Sequence, residues 1–124
     1  MKYMLIHYID EALLNAWEDE DAPSETDEDR EREAWDDEMV TRGILVGGGV
    51  LASPRSSTTL KVRDGQLLIT DGPFAETKEQ IAGYSVLECT DLDQAIEVAS
   101  RHPTVRFGSF ELRPYVAVDL ADSQ

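Results

Sequence analysis

Lys2-Tyr3-Met4-Leu5-Ile6-His7-Tyr8-Ile9, residues 2–9, is apolar or aromatic on both parities. Successive side chains of a strand point to opposite faces, so a strand with one wet face alternates apolar and polar residues. This one does not alternate and reads as a strand covered on both sides. Downstream, Glu11–Glu20 carries Leu13, Leu14 and Trp17 at i, i+1 and i+4, a short helix that Ala22-Pro23-Ser24 breaks. Ser24 or Thr26 can then cap a second helix from about Asp27 to Arg42, with acids in its first turn where the helix dipole favours them. Its inward stripe is Trp35, Met39 and Val40, and Gly43 ends it.

Beyond that helix, Ile44–Leu51 predicts a strand interrupted by Gly47-Gly48-Gly49. A Pro/Ser loop over 52–57 leads to two short strands, Thr58–Arg63 and Gln66–Thr70, joined by Asp64-Gly65, a strong hairpin signal. Gly83–Thr90 reads as a further strand. Asp91 caps a helix to Ser100 with Leu92, Ala95, Ile96 and Ala99 on one face, and His102-Pro103 stops it. A last strand spans about Val105 to Val118, with Phe110 and Leu112 on the core parity and Ser109, Glu111, Arg113 and Tyr115 opposite. Without the hairpin and the short helix the order is βαββαβ. That is the ferredoxin-like α+β pattern, in one domain over 1–124. Its sheet carries helices on one face only. A homodimer packing two sheets face to face as a dimeric α/β barrel would cover the other face, and would explain why the first strand is apolar on both sides.

The 124 residues suffice for a hydrophobic core without staples, and 41% apolar with 30% charged residues is ordinary for a globular chain. Charge is not ordinary: 11 bases against 26 acids leave −15. Nucleic acid and anionic membranes would repel such a chain, so neither is expected as a partner. Residues 1–42 hold 15 of the acids and four bases, a net −11 that concentrates the acidity near one helix. Lone Cys89 excludes an intrachain disulfide and any multi-cysteine metal site. No run approaches ~20 apolar residues, and no small-residue cleavage site follows the short apolar start; a soluble cytoplasmic protein is the expectation.

Asp71-Gly72-Pro73-Phe74-Ala75-Glu76-Thr77-Lys78-Glu79-Gln80-Ile81-Ala82-Gly83-Tyr84 crowds acids, a lysine and aromatics between two apolar runs. Together with the Met-Lys-Tyr-Met start, the Gly-Ile-Leu-Val-Gly-Gly-Gly-Val-Leu run, Asp91-Leu92-Asp93-Gln94-Ala95 and Phe107-Gly108-Ser109-Phe110-Glu111-Leu112-Arg113-Pro114, it resembles the YCII-related family, and within it the DGPF branch. The resemblance implies a ferredoxin-like dimeric α/β barrel without a settled activity. It also implies a regulatory or accessory setting, since DGPF-type proteins often accompany extracytoplasmic-function sigma factors. The wider family is associated with a His–Asp acid–base pair. Here Arg32 stands about where that histidine would fall, and His102 near the aspartate, so the pair does not carry over as such.

Acid–base work near neutral pH needs a group that titrates there, and the chain has only His7 and His102. His7 shares the parity of Tyr3 and Leu5; facing a dimer cavity it would be a pocket histidine that Asp71 could orient, and otherwise it is a hydrogen-bonded core residue. His102 reads equally as a helix C-terminal residue favoured by the dipole. Asp71 serves as a base or locks the Asp-Gly-Pro turn. Lys78, Tyr84 and Arg113 are candidate ligand contacts, Arg113 as a carboxylate clamp. The triple glycine lacks the Gly-Lys-Ser/Thr and helix of a phosphate loop and reads as a bulge or close approach. The acidic run 27–38, interleaved with Arg30 and Arg32, reads as a solvated helix face, and Cys89 as an inert buried thiol. Three functions remain open. One is a homodimer binding a small anionic or aromatic molecule between its sheets. Another is a cofactor-independent acid–base enzyme using His7 or His102 with Asp71. The third is an interaction module presenting the acidic helix to a basic, sigma-factor-linked partner.

Overall fold

The computed structural model describes residues 1–117. The elements are β1 (Lys2–Asp10), α1 (Glu11–Trp17), α2 (Asp27–Thr41), β2 (Leu45–Val50), β3 (Thr58–Arg63), β4 (Gln66–Asp71), β5 (Glu79–Glu88), α3 (Leu92–Ser100) and β6 (Ser109–Pro114). Four strands form one sheet in the order β2-β5-β1-β6, and β3 and β4 form a separate hairpin. Every pairing is antiparallel. With the hairpin and α1 set aside, the order is βαββαβ with β5 and β1 central, an α+β arrangement compatible with the ferredoxin-like pattern.

β1 is a central strand, and helices cover only one of its two apolar parities. It is hydrogen-bonded on one edge to β5 and on the other to β6. Tyr3 and Leu5 point to the helix side, where they meet Leu87 and Cys89 of β5 and its end, Trp35 and Met39 of α2, and Ala95, Val98 and Ala99 of α3. Ile6, on the other parity, is also nearly buried. α2 starts with a reciprocal cap: the Asp29 amide donates to Thr26 Oγ1 at 3.2 Å, and the Thr26 amide donates to the Asp29 carboxylate at 2.9 Å. It ends at Gly43, whose φ of +73° suits glycine. The Trp35 indole N–H, buried with the core, donates to the Val98 carbonyl at 3.0 Å and so locks α2 to α3.

Four sequence expectations are corrected. Val40 is exposed rather than inward, because Trp35 and Met39 already define the buried stripe and Val40 lies a further ~100° round the helix. α3 buries Ala95, Val98 and Ala99 and leaves Leu92 and Ile96 half exposed, since the i, i+3, i+4 set with two small residues makes the closest approach to the sheet. The last strand begins at Ser109, not near Val105. His102 caps a short 3-10 turn over Pro103–Arg106 whose first residue is a proline, whose fixed φ suits a helical start. It ends at Pro114, and Val118 lies outside the described residues. β5 also starts earlier than Gly83, at Glu79.

Leu87, wholly buried, packs between β5 and both helices, whereas Val40 is 59% exposed. Leu87→Ala should cost about 2–5 kcal/mol and Val40→Ala under about 1 kcal/mol. Urea titration checks both; equal costs would overturn this assignment of the core.

Candidate functional site

On the helix side of the sheet, beside this core, lies a cavity of about 980 Å³. Its floor is the sheet, and several elements line it with polar groups, among them the carboxylates of Glu18, just after α1, and of Glu28 and Asp29 in the first turn of α2. β1 supplies His7, β5 supplies Ser85, α2 supplies Arg32 and Asp36, and the turn after α3 supplies His102. Strand register does the positioning. His7 stands opposite Phe110 on one side and Gly83 on the other, with Ser85 two residues along β5 on the same face.

Glycines make the cavity's other wall. β2 runs past β5 so closely that a Cβ at Gly48, where φ is +140°, would lie 2.5 Å from the Tyr84 carbonyl oxygen. A Cβ at Gly83 would lie 2.7 Å from the Gly49 carbonyl oxygen. The register shifts at Val46, so a bulge precedes the triple glycine, which itself pairs in unbroken register with β5 as a close backbone approach and not a phosphate cradle. Beyond it, Ser53 ties the outgoing loop to α1: its amide donates to Glu18 at 2.6 Å and its hydroxyl bonds Asn15. Trp17 and Phe107, edge to face with centroids 6.0 Å apart, give the cavity an aromatic portion that is partly open to solvent.

The two imidazoles form one cluster. His7 stacks on Phe110 at 4.7 Å and meets His102 edge-on at 5.0 Å, and His102 packs against Trp35 at 4.7 Å. His7 Nε2 lies 3.2 Å from Ser85 Oγ. His102, only 2% exposed, accepts the Thr104 amide on Nδ1 at 3.1 Å, which places its proton on Nε2 when the ring is neutral. Burial lowers the His7 pKa to about 4, with Arg32 adding to it. Burial also lowers His102 to about 3, with contributions from His7 and Arg32. Both rings are therefore neutral at neutral pH. The helix dipole, which would favour a protonated His102, is outweighed by burial. Among the described residues no hydrogen-bond partner is found for the second nitrogens, His7 Nδ1 and His102 Nε2, and both rings line the cavity. Half-buried Asp36 has its pKa raised, chiefly by burial, with Arg32 opposing.

Other candidates lie elsewhere. Asp71 ends β4 on the separate hairpin, exposed, and no hydrogen bond joins it to either imidazole. The pairing of His7 or His102 with Asp71 is thus not assembled in this chain, because the hairpin shares no ladder with the main sheet. Nor does the parity of Tyr3, Leu5 and His7 face the open side of the sheet; it faces the helices. Lys78 is exposed, and its carbonyl accepts the Glu11 amide at 2.8 Å. Tyr84 stands opposite Ile6, on the parity of the open face, yet it also borders the cavity beside Ser85; Arg113 stands opposite Met4 on the open face, where it is bonded to Glu111. Cys89 is buried and its pKa is raised by burial, as an inert thiol requires. Sequence reasoning placed Arg32 in a solvated run and passed over Asp36 and Ser85. Arg32 and Asp36 share a helical face at i, i+4, next to the Trp35–Met39 stripe, and that spacing was the available signal.

Arg32 and His102 both line this one cavity. The family model described as the YCII-related domain matches residues 1–119. The uncharacterised protein R00369 of Rhizobium meliloti (strain 1021) is 34% identical over 118 residues, which cover 92% of this chain and 91% of that one. The chain belongs to the YCII-related family.

Proposed function

We propose that this protein binds a small molecule in the helix-side cavity, with His7 and His102 as its recognising groups. One observation carries the reading. Two buried, neutral imidazoles each commit one nitrogen to the protein, leave the other without a partner among the described residues, and line a cavity of about 980 Å³, a volume suited to a ligand rather than a lone water. Arg32 is the one cation among the described lining residues and the group that would hold an acidic head, although it also pairs with Asp29 at 3.8 Å and Glu18, Glu28 and Asp36 line the same cavity; Trp17 and Phe107 suit an aromatic or apolar body. Titrating small aromatic carboxylic acids into the protein, followed by NMR shifts of the imidazoles, tests it. Binding should weaken at least about tenfold, the equivalent of ~1.4 kcal/mol, in both Arg32→Gln and Trp17→Ala. Ligand shifts that bypass the imidazoles, or binding indifferent to both changes, would overturn the reading.

A second reading, cofactor-independent acid–base catalysis at the same place, is favoured by Asp36. Burial raises its pKa, and it lines the same cavity as the two neutral imidazoles, so a carboxyl group and a ring nitrogen are available to one bound ligand. Solvent deuterium entering a bound ligand in wild type, and not in Asp36→Asn, would support catalysis; binding without exchange would leave a binding protein.

We also propose a homodimer formed through the open face of the sheet. Supporting it, Met4, Ile6, Tyr8, Tyr84 and Val86 give that face an apolar centre with no helix over it. Sedimentation should give twice 13.8 kDa, and Val86→Glu should lower it towards the monomer.

The imidazoles also set a pH dependence. An unfolded histidine protonates near 6.5, well above about 4 for His7 and about 3 for His102 in the fold. Below pH ~6.5 the unfolded chain therefore binds the extra protons and gains stability over the fold. Stability should fall with falling pH by about 1.4 kcal/mol per unit per histidine, until each folded pKa is passed. By NMR both rings should stay neutral from pH ~8 to ~5; a ring titrating near 6.5 would show that the cavity is wet.

A further inference from the structure

His102 and His7 offer a ligand different things. His102 caps the turn over Pro103–Arg106, and its Nδ1 accepts the Thr104 amide at 3.1 Å. An imidazole nitrogen that accepts carries no proton, so the bonding itself makes the ring neutral and puts its one N–H on Nε2. Orientation is fixed along with the tautomer. The ring is 2% exposed and packs against Trp35 at 4.7 Å, His7 at 5.0 Å and Phe110 at 5.3 Å between centroids. His7 has no such lock. Its Nε2 meets the Ser85 hydroxyl at 3.2 Å, and a hydroxyl donates or accepts by rotating about its C–O bond. His7 can therefore offer Nδ1 as a donor or as a lone pair, whereas His102 can offer only a donor.

We infer that His102 determines specificity in the binding proposed above, on which this rests: its fixed Nε2–H takes the carbonyl oxygen of an aromatic α-oxo acid whose carboxylate pairs with Arg32. A buried donor is costly to leave unpaired once a ligand has displaced water, so a ligand with an acceptor at this point gains over one with a methylene there. An uncharged carbonyl suits the place better than a carboxylate, because the Trp35 and Phe110 rings around His102 supply no counter-charge. The cation is close by: Arg32 lines the same cavity, and its charge acts on both imidazoles. One small molecule with its carbonyl next to its carboxylate can engage both groups. An amine at the carbonyl position would set donor against donor. The carboxylates of Glu18, Glu28, Asp29 and Asp36 favour that amine by charge, which makes an amino acid of the same shape the sharpest competitor.

Three ligands of one shape test this. Benzoylformate, phenylacetate and phenylglycine place a carbonyl, a methylene and an ammonium-bearing carbon between the same ring and the same carboxylate. In calorimetric titrations of the wild-type protein, benzoylformate should bind at least about tenfold more tightly than either of the others. Nitrogen-edited NMR of the free protein should show the His102 proton on Nε2, and benzoylformate should move that proton downfield. His102→Asn keeps an acceptor for the Thr104 amide and removes the ring N–H, so the preference for benzoylformate over phenylacetate should vanish. Arg32→Gln should weaken both of these ligands alike and keep the preference. Equal binding of benzoylformate and phenylacetate, tighter binding of phenylglycine, or a His102 proton on Nδ1 would overturn the inference while leaving the cavity a binding site. If none of the three binds up to about millimolar concentration, the binding reading falls with it. The titrations and the NMR need no variant, so a failure of His102→Asn to fold leaves the test intact.

Discussion

Burial of β1 between two hydrogen-bonded neighbours is the constraint on which the rest of this molecule depends. Its backbone groups pair with β5 on one edge and β6 on the other, so the strand cannot shift by one residue without turning Tyr3, Leu5 and His7 away from the helices. His7 is held in the same register as the core leucine two residues before it. The candidate site is therefore an extension of the hydrophobic core, bounded by aromatic rings. A substitution that loosens the core should be felt in the cavity as well.

Electrostatics act at two levels that do not conflict. On the surface, the acidity is balanced locally: Glu38 accepts from Arg101 at 2.7 Å and Arg42 at 3.3 Å, and Glu31 accepts from Arg106 at 2.8 Å. The Arg101 and Arg106 pairs fasten α2 to the end of α3 and to the turn after it, but all three pairs are exposed and screened by water, so they contribute little. Within the cavity, desolvation dominates. It keeps both imidazoles neutral and makes Asp36 a weaker acid, so the groups that a ligand would meet are set by burial more than by the −15 of the whole chain.

Much of the architecture was legible in the residues. The caps at Thr26 and Asp91, the stop at Gly43 and the Asp64-Gly65 hairpin all follow from short-range chemistry, and each lies where local physics puts it. The site was less legible. His7 and His102 were identifiable as the only groups with suitable pKa values, but they lie 95 residues apart in sequence. No spacing rule relates them to Ser85 or Asp36. Asp71 drew notice for its crowded surroundings, and the hairpin then carried it away from both rings.

By itself, the sequence determined the kinds of elements, their order, and an apolar first strand that had to lie inside a sheet. Periodicity, caps and turn chemistry act over a few residues, and they are written into the chain. Only the tertiary structure decided which face of that strand looks at the helices, and hence that His7 meets His102 and Arg32 rather than Asp71. That choice comes from the sheet order β2-β5-β1-β6 and from burial, which are properties of contacts between distant segments. The same long-range packing lowers both imidazole pKa values and turns two ordinary histidines into a neutral pair at one cavity.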